Sequence, residues 1–256
     1  SDFRVMTGFG AKLIAAIAIT FSLFQLYTAV FGVLDAMIQR SIHLSFGFCL
    51  IFLLYPTRKK WPRHKFHPVD VALAAIAASV PMYIVVNYQE LVLRAGRVTT
   101  LDFIVGIIAI VLILEITRRV VGWPMVIIAI IFLIYALVGR HIPGQLAHRG
   151  VRLTSLVQHQ FYTTEGIFGI PIGVSSTFIF LFILFSAYLE KTGMGEFFID
   201  LANAVAGWAS GGPAKVAVIS SGCMGMISGS SVANVVGTGS FMIPMMKRLG
   251  YKGEFA

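Results

Sequence analysis

Charge is scarce in this sequence. Only 12% of its 256 residues are Asp, Glu, Lys or Arg, against about 25% in an ordinary soluble domain. That scarcity, beside 57% hydrophobic residues, excludes a water-soluble globular protein. It also excludes disorder, which needs low hydrophobicity and high charge. Acidic residues are scarcer than basic ones, eleven against twenty, for a formal net charge of +9. In a soluble domain such an excess would raise the question of nucleic acid. Here basic residues flanking membrane spans account for it, and no nucleic-acid partner is expected. Cysteine is nearly absent: Cys49 and Cys223 lie far apart, each inside an apolar run. No disulfide framework follows, and metal and thiol-redox chemistry lose their support with it. A Gly-rich phosphate loop ending in Gly-Lys-Ser/Thr is missing too, which removes direct ATP coupling within this chain.

What is present is a series of long apolar runs. A helix needs about 20 mainly apolar residues to cross roughly 30 Å of hydrocarbon. Residues 11–33, 42–55, 69–88, 101–117, 123–139 and 172–189 qualify as six spans, the second extended by a turn toward Leu34. The first is too long for the hydrophobic region of a secretory signal. Arg58, Lys59, Lys60, Arg63 and Lys65 crowd one loop, which should therefore be cytoplasmic and puts the N-terminus on the same side. Between the fifth and sixth spans, residues 141–173 are rich in Gly and scattered His and Arg, and 153–162 read as a short amphipathic helix in an interfacial connector. Residues 195–208 read as another helix lying in the interface. The fold class expected is an all-α, multi-span helical membrane protein.

Residues 214–248 behave differently. An apolar run is broken by Ser228, Gly229, Ser230 and Ser231 and then resumes. Each arm is about 15 residues, roughly 22 Å at 1.5 Å per residue, too short to cross comfortably. Lys215 bounds one arm and Lys247, Arg248 and Lys252 the other. A single long span would put basic clusters on both faces, whereas a re-entrant hairpin keeps them all on the cytoplasmic side. Its tip leaves backbone groups without intrahelical partners, tolerable only inside protein or beside a water-filled cavity. Broken helices of this kind build the ion and substrate sites of secondary transporters. Gly229, Ser230 and Ser231 are thus the candidate cation site, Na⁺ being suited to hydroxyl and carbonyl oxygens. Asn234 and Thr238, successive turns on one helix face, are the candidate polar wall toward substrate. Small residues also mark close helix packing, and that reading is preferred for Gly222 and Gly225.

At these residues the chain resembles a known family. Met226-Ile-Ser-Gly-Ser-Ser-Val-Ala-Asn234, with Gly239-Ser-Phe-Met-Ile-Pro-Met-Met-Lys-Arg-Leu-Gly-Tyr251, resembles the large membrane subunit of tripartite ATP-independent periplasmic (TRAP) transporters. Thr164-Glu-Gly-Ile-Phe-Gly-Ile-Pro-Ile-Gly173 and the Leu-Glu-Lys-Thr-Gly ending at Gly193 look like the fused permeases of the TAXI branch, which join small and large membrane subunits in one chain. The resemblance is specific over 160–256. It implies an elevator-type transport domain, Na⁺ as coupling ion with no other metal or cofactor, and a periplasmic substrate-binding protein that delivers an organic anion. It also implies a bacterial inner-membrane location. Further spans and a second hairpin are expected beyond Ala256, so the chain is expected to be an N-terminal fragment. Residues 1–120 then correspond to a small-subunit-like four-helix module, 121–171 to a linking span and connector, and 172–256 to the start of the transport module.

Two other readings stay open from the residues alone: an elevator-type anion/Na⁺ symporter without a binding protein, and a non-transporting membrane scaffold. An enzyme is not expected, because no nucleophile, base and orienting acid converge within one span. His64 and His67 lack a nearby carboxylate to complete a metal set. Asp102 and Glu115 could be intramembrane proton-relay groups; the spacing of Glu115 to Arg118 and Arg119 favours a helical ion pair instead.

Overall fold

A computed structural model describes residues 4–58, 65–94, 96–227 and 231–256. Lys59, Lys60 and Arg63 of the basic loop, and Gly229 and Ser230 of the hairpin tip, lie outside the described residues. Twelve α-helices follow one another among the described residues: α1 (Phe9–Phe31), α2 (Ala36–Leu54), α3 (Pro68–Val86), α4 (Tyr88–Leu93), α5 (Thr100–Val120), α6 (Trp123–Val138), α7 (Leu153–Phe161), α8 (Ile170–Val174), α9 (Phe180–Lys191), α10 (Met194–Ala206), α11 (Gly212–Ile227) and α12 (Ser231–Arg248). A π-helical turn, Ser175–Ile179, joins α8 to α9. Six helical stretches are long and apolar enough to span a bilayer: Phe9–Phe31, Ala36–Leu54, Pro68–Val86, Thr100–Val120, Trp123–His141 and Ile170–Leu189. The chain is a multi-span helical membrane protein, as its hydropathy predicts. Apolar side chains cover its outside, with Ile131, Phe132, Phe182 and Phe185 each more than half exposed, a surface that only lipid can solvate.

Local signals set the helix starts. Asp35 caps α2 by accepting from the Met37 amide. Pro68 stands in the first turn of α3, where its missing N–H deprives no one of a partner. Thr99 and Asp102 form a reciprocal capping box at α5. The second span thus begins six residues earlier than its hydropathy suggests, and Arg40 sits inside the helix, donating to the Phe168 and Gly169 carbonyls.

The chain divides into two compact units, 1–177 and 178–256. In the first, α1, α2, α3 and α5 run alternately up and down, and two charged clusters mark opposite ends. At one end Asp70, fully buried, meets Arg4 at 2.6 Å and Arg119 at 3.1 Å and accepts from the Thr57 hydroxyl. Glu115 holds both Arg118 and Arg119 at 2.7 Å, the helical ion pair its spacing predicts. At the other end Asp102 accepts from the Tyr83 hydroxyl at 2.6 Å and from Arg94 at 3.1 Å. Close by, the Tyr162 hydroxyl donates to the Asp102 carbonyl at 2.7 Å. Burial, and secondarily the Asp102 charge, pushes the Tyr162 phenol far above its ordinary pKa, so it stays a donor. Between the ends, Phe52, Ala77, Ala109 and Phe161 belong to one apolar core. The apolar face of α7 is covered by α5: a Cβ on Gly106 would stand 2.3 Å from Val157 Cγ1.

A neutral polar layer joins α1 and α2 to the π-helical turn. Gln25 and the His43 ring nitrogen are 2.7 Å apart, His43 reaches the Ser175 hydroxyl at 3.1 Å, and the Gln39 amide donates to Thr28 and to the Ser176 carbonyl. In the second unit, Ala202 and Ala206 of α10 pack with Val216 of α11 and Met242 of α12, placing the last two helices side by side.

Candidate functional site

The hairpin arms are helical because their residues are apolar or small and the breakers sit at the ends. Gly211, with φ +72°, and Pro213 open α11, and α12 runs through Pro244 to a basic last turn at Lys247 and Arg248. These cations suit the carbonyl end of a helix. The arms are antiparallel: Val216 shares a cluster with Met242 near the open end, while Ser221 meets Asn234 nearer the tip.

Asn234 is the central polar group. Its amide nitrogen donates to the Ser221 carbonyl at 3.1 Å, and its amide oxygen accepts from Thr238 at 3.1 Å and, more weakly, from the Ser221 hydroxyl at 3.5 Å. Thr238 is buried, and Ser220 on the facing arm is fully so, its hydroxyl turned back to the Ala217 carbonyl. Gly225 faces the Asn234 amide nitrogen, which a Cβ there would meet at 3.4 Å, about van der Waals distance. Of the residues singled out by sequence, Asn234 and Thr238 are therefore together, and Ser231 stands exposed at the first turn of α12. Gly229 and Ser230 lie outside the described residues. Sequence reasoning missed Ser221. Its one signal is the Ser220-Ser221 pair interrupting an apolar arm.

The electrostatics are unusual for an ion site. No Asp or Glu occurs between Asp200 and Glu254, so the hairpin offers a cation only neutral oxygens: backbone carbonyls, hydroxyls and one amide. Among the described residues no cluster of three His, Cys, Asp or Glu side chains could hold a metal ion.

Residues 108–256 match the family described as "Tripartite ATP-independent periplasmic transporter, DctM component". The chain belongs to that family. Its members are transporter permeases rather than enzymes. Among relatives of the TRAP permease, the C4-dicarboxylate TRAP transporter large permease protein DctM of Vibrio cholerae is 31% identical over 156 residues, covering 58% of this chain and 30% of that protein. The protein of the same name from Pseudomonas aeruginosa is 39% identical over 74 residues, 29% of this chain and 17% of that one. The chain thus spans less than a third of the length of these curated relatives. No solved structure matches it significantly. The family match takes in all of α6 to α12, hairpin included, and leaves α1 to α4 outside.

Proposed function

We propose that this chain is part of a Na⁺-driven permease that takes up organic acids delivered by a periplasmic binding protein, and that the α11–α12 hairpin enters and leaves the inner membrane from the cytoplasmic side. The observation that carries the reading is the hairpin itself: two arms joined through Asn234, with a serine-rich connection and no carboxylate. Such a tip suits Na⁺, whose hydration shell carbonyl and hydroxyl oxygens can replace, and leaves room for an anionic substrate that a carboxylate would repel. Gly229, Ser230 and Ser231 would supply the cation oxygens, and Asn234 and Thr238 the wall toward substrate. The names of the curated relatives support a dicarboxylate among the organic acids. Helices α1 to α5 carry four spans ahead of or at the border of the family match, which supports a small membrane subunit fused to the large one, with its N-terminus cytoplasmic.

The test is uptake of labelled dicarboxylate into vesicles containing the permease and its receptor, over a Na⁺ titration. Ser231→Ala should raise the half-saturating Na⁺ concentration about tenfold or more, the loss of one charge-assisted ligand bond, and Asn234→Ala should raise the half-saturating dicarboxylate concentration about fivefold, the loss of one neutral bond. Wild-type rates with wild-type Na⁺ dependence in both variants would overturn the assignment.

A further inference from the structure

The boundary between the two compact units, Thr177 to Phe178, falls inside a membrane span, Ile170–Leu189. Units of a chain ordinarily part at exposed, irregular linkers. Here the backbone stays helical across the boundary and changes only its winding, to the π-helical turn Ser175–Ile179. Such a turn closes its rings over i→i+5 rather than i→i+4. It is rare, and it occurs where helices bend or where a functional site interrupts them.

Within a span the turn carries a cost, because hydrocarbon offers a displaced carbonyl no partner. Side chains supply the partners here. The Ser176 and Thr177 hydroxyls both donate to the Gly173 carbonyl, at 3.0 and 2.9 Å. Hydroxyls that bond back to the preceding turn loosen the backbone ladder and bend helices. Three consecutive hydroxyl residues, Ser175, Ser176 and Thr177, thus occupy the π-turn of an otherwise apolar span.

The two sides of the turn are held differently. On its N-terminal side α2 grips the chain at Phe168, Gly169, Ser175 and Ser176, through Arg40, His43 and Gln39. The fit is tight: a Cβ on Gly173 would stand 2.8 Å from the Arg40 guanidinium, and Ser176 is buried. Beyond Thr177 the chain turns outward. Phe178, Phe182, Ile183 and Phe185 each leave more than half of their surface exposed, and fluid lipid does not fix a side chain as packed protein does. A clamp ends at the turn and an apolar rod begins there.

We propose that the Ser175–Ile179 turn is a hinge: α2 fixes residues 168–176, and α9 swings from the turn as a rigid rod, carrying the second unit without unfolding any helix. The hydroxyls at the turn keep the Gly173 carbonyl satisfied as the winding changes. The hinge follows from the build of this span and not from which ion or substrate the protein moves.

The experiment is double electron–electron resonance on the whole chain in nanodiscs, with Cys49 and Cys223 replaced by Ser. Spin labels at Leu146→Cys, in the first unit, and Tyr188→Cys, in α9, sit at exposed positions either side of the turn. Labels at Val69→Cys and Leu146→Cys, both in the first unit, form the reference pair. Tyr188 lies about eleven residues past the turn, roughly 16 Å, so a swing of about 20° moves it about 6 Å. The pair across the turn should therefore give a distance distribution at least about 6 Å wider than the reference pair. Deleting the exposed Phe178 removes the residue by which an i→i+5 ring exceeds an i→i+4 ring, and should narrow that distribution to the reference width. Phe178→Ala should leave it broad. Equal widths for the two pairs with the turn intact would overturn the proposal whether or not the deletion variant folds, and so would a width that survives the deletion. None of these outcomes depends on Na⁺, receptor or uptake, so the result stands apart from the transport reading.

Discussion

The two units handle buried polarity in opposite ways. In the first, carboxylates are held by ion pairs: Asp70 has two arginines and a threonine, Glu115 two arginines, and Asp102 an arginine, a tyrosine and a backbone amide. In the second, the polar contacts of the hairpin are neutral: Asn234 and Ser221 join the arms at 3.1 and 3.5 Å, and Thr238 donates to Asn234 within its own arm at 3.1 Å. Breaking a buried ion pair from one side strands a charge and costs about 3–5 kcal/mol. Neutral hydrogen bonds are worth about 1 kcal/mol and exchange partners readily. The first unit is thus built to keep one arrangement, whereas the neutral contacts of the hairpin can be rearranged at lower cost.

Substitutions can break or sharpen this contrast. The largest effect is expected at Asp70. Asp70→Asn strips the buried Arg4 of its counter-charge and leaves Arg119, its side chain 1% exposed, with Glu115 alone; it should destabilise by about 3–5 kcal/mol, read as a large fall in the thermal midpoint of the detergent-solubilised protein. Next comes Gly106→Val, which forces α5 and α7 apart and should cost about 1–3 kcal/mol in the same assay. Asn234→Ala removes only neutral bonds and should cost about 1 kcal/mol. It should appear chiefly as faster hydrogen exchange in α11 and α12, with the first unit unchanged. Smallest of all is Trp208→Ala. With 85% of that residue exposed, stability should stay within about 0.5 kcal/mol. An Asn234 effect as large as that of Asp70 would erase the distinction between the units.

Length and hydropathy made the spans legible, because a bilayer demands both at once. The start of α2 was legible as an extension toward Leu34, met at Ala36, but what lets Gln39, Arg40 and His43 lie inside a span was not, since their partners are on α1 and in residues 168–176. Hydropathy weighs a side chain without knowing what it touches. The amphipathic pattern of 153–162 shows that one face is apolar and not whether lipid or protein covers it; Val157 and Phe161 are fully buried. Likewise Glu115 announced its partners because they lie three and four residues away, while Arg4 and Asp70 are 66 apart. At the hairpin, Asn234 and Thr238 share a face by simple helical spacing. Ser221 joins them only once the chain has turned back on itself.

That turning back inside the membrane is the central claim, and sidedness tests it most directly. In a protein with Cys49 and Cys223 replaced by Ser, Lys215→Cys and Lys252→Cys are labelled with a membrane-impermeant maleimide in sealed vesicles of known orientation. The re-entrant hairpin predicts that both react from the same, cytoplasmic, face. Reaction from opposite faces would make α11 and α12 a crossing pair and contradict the account.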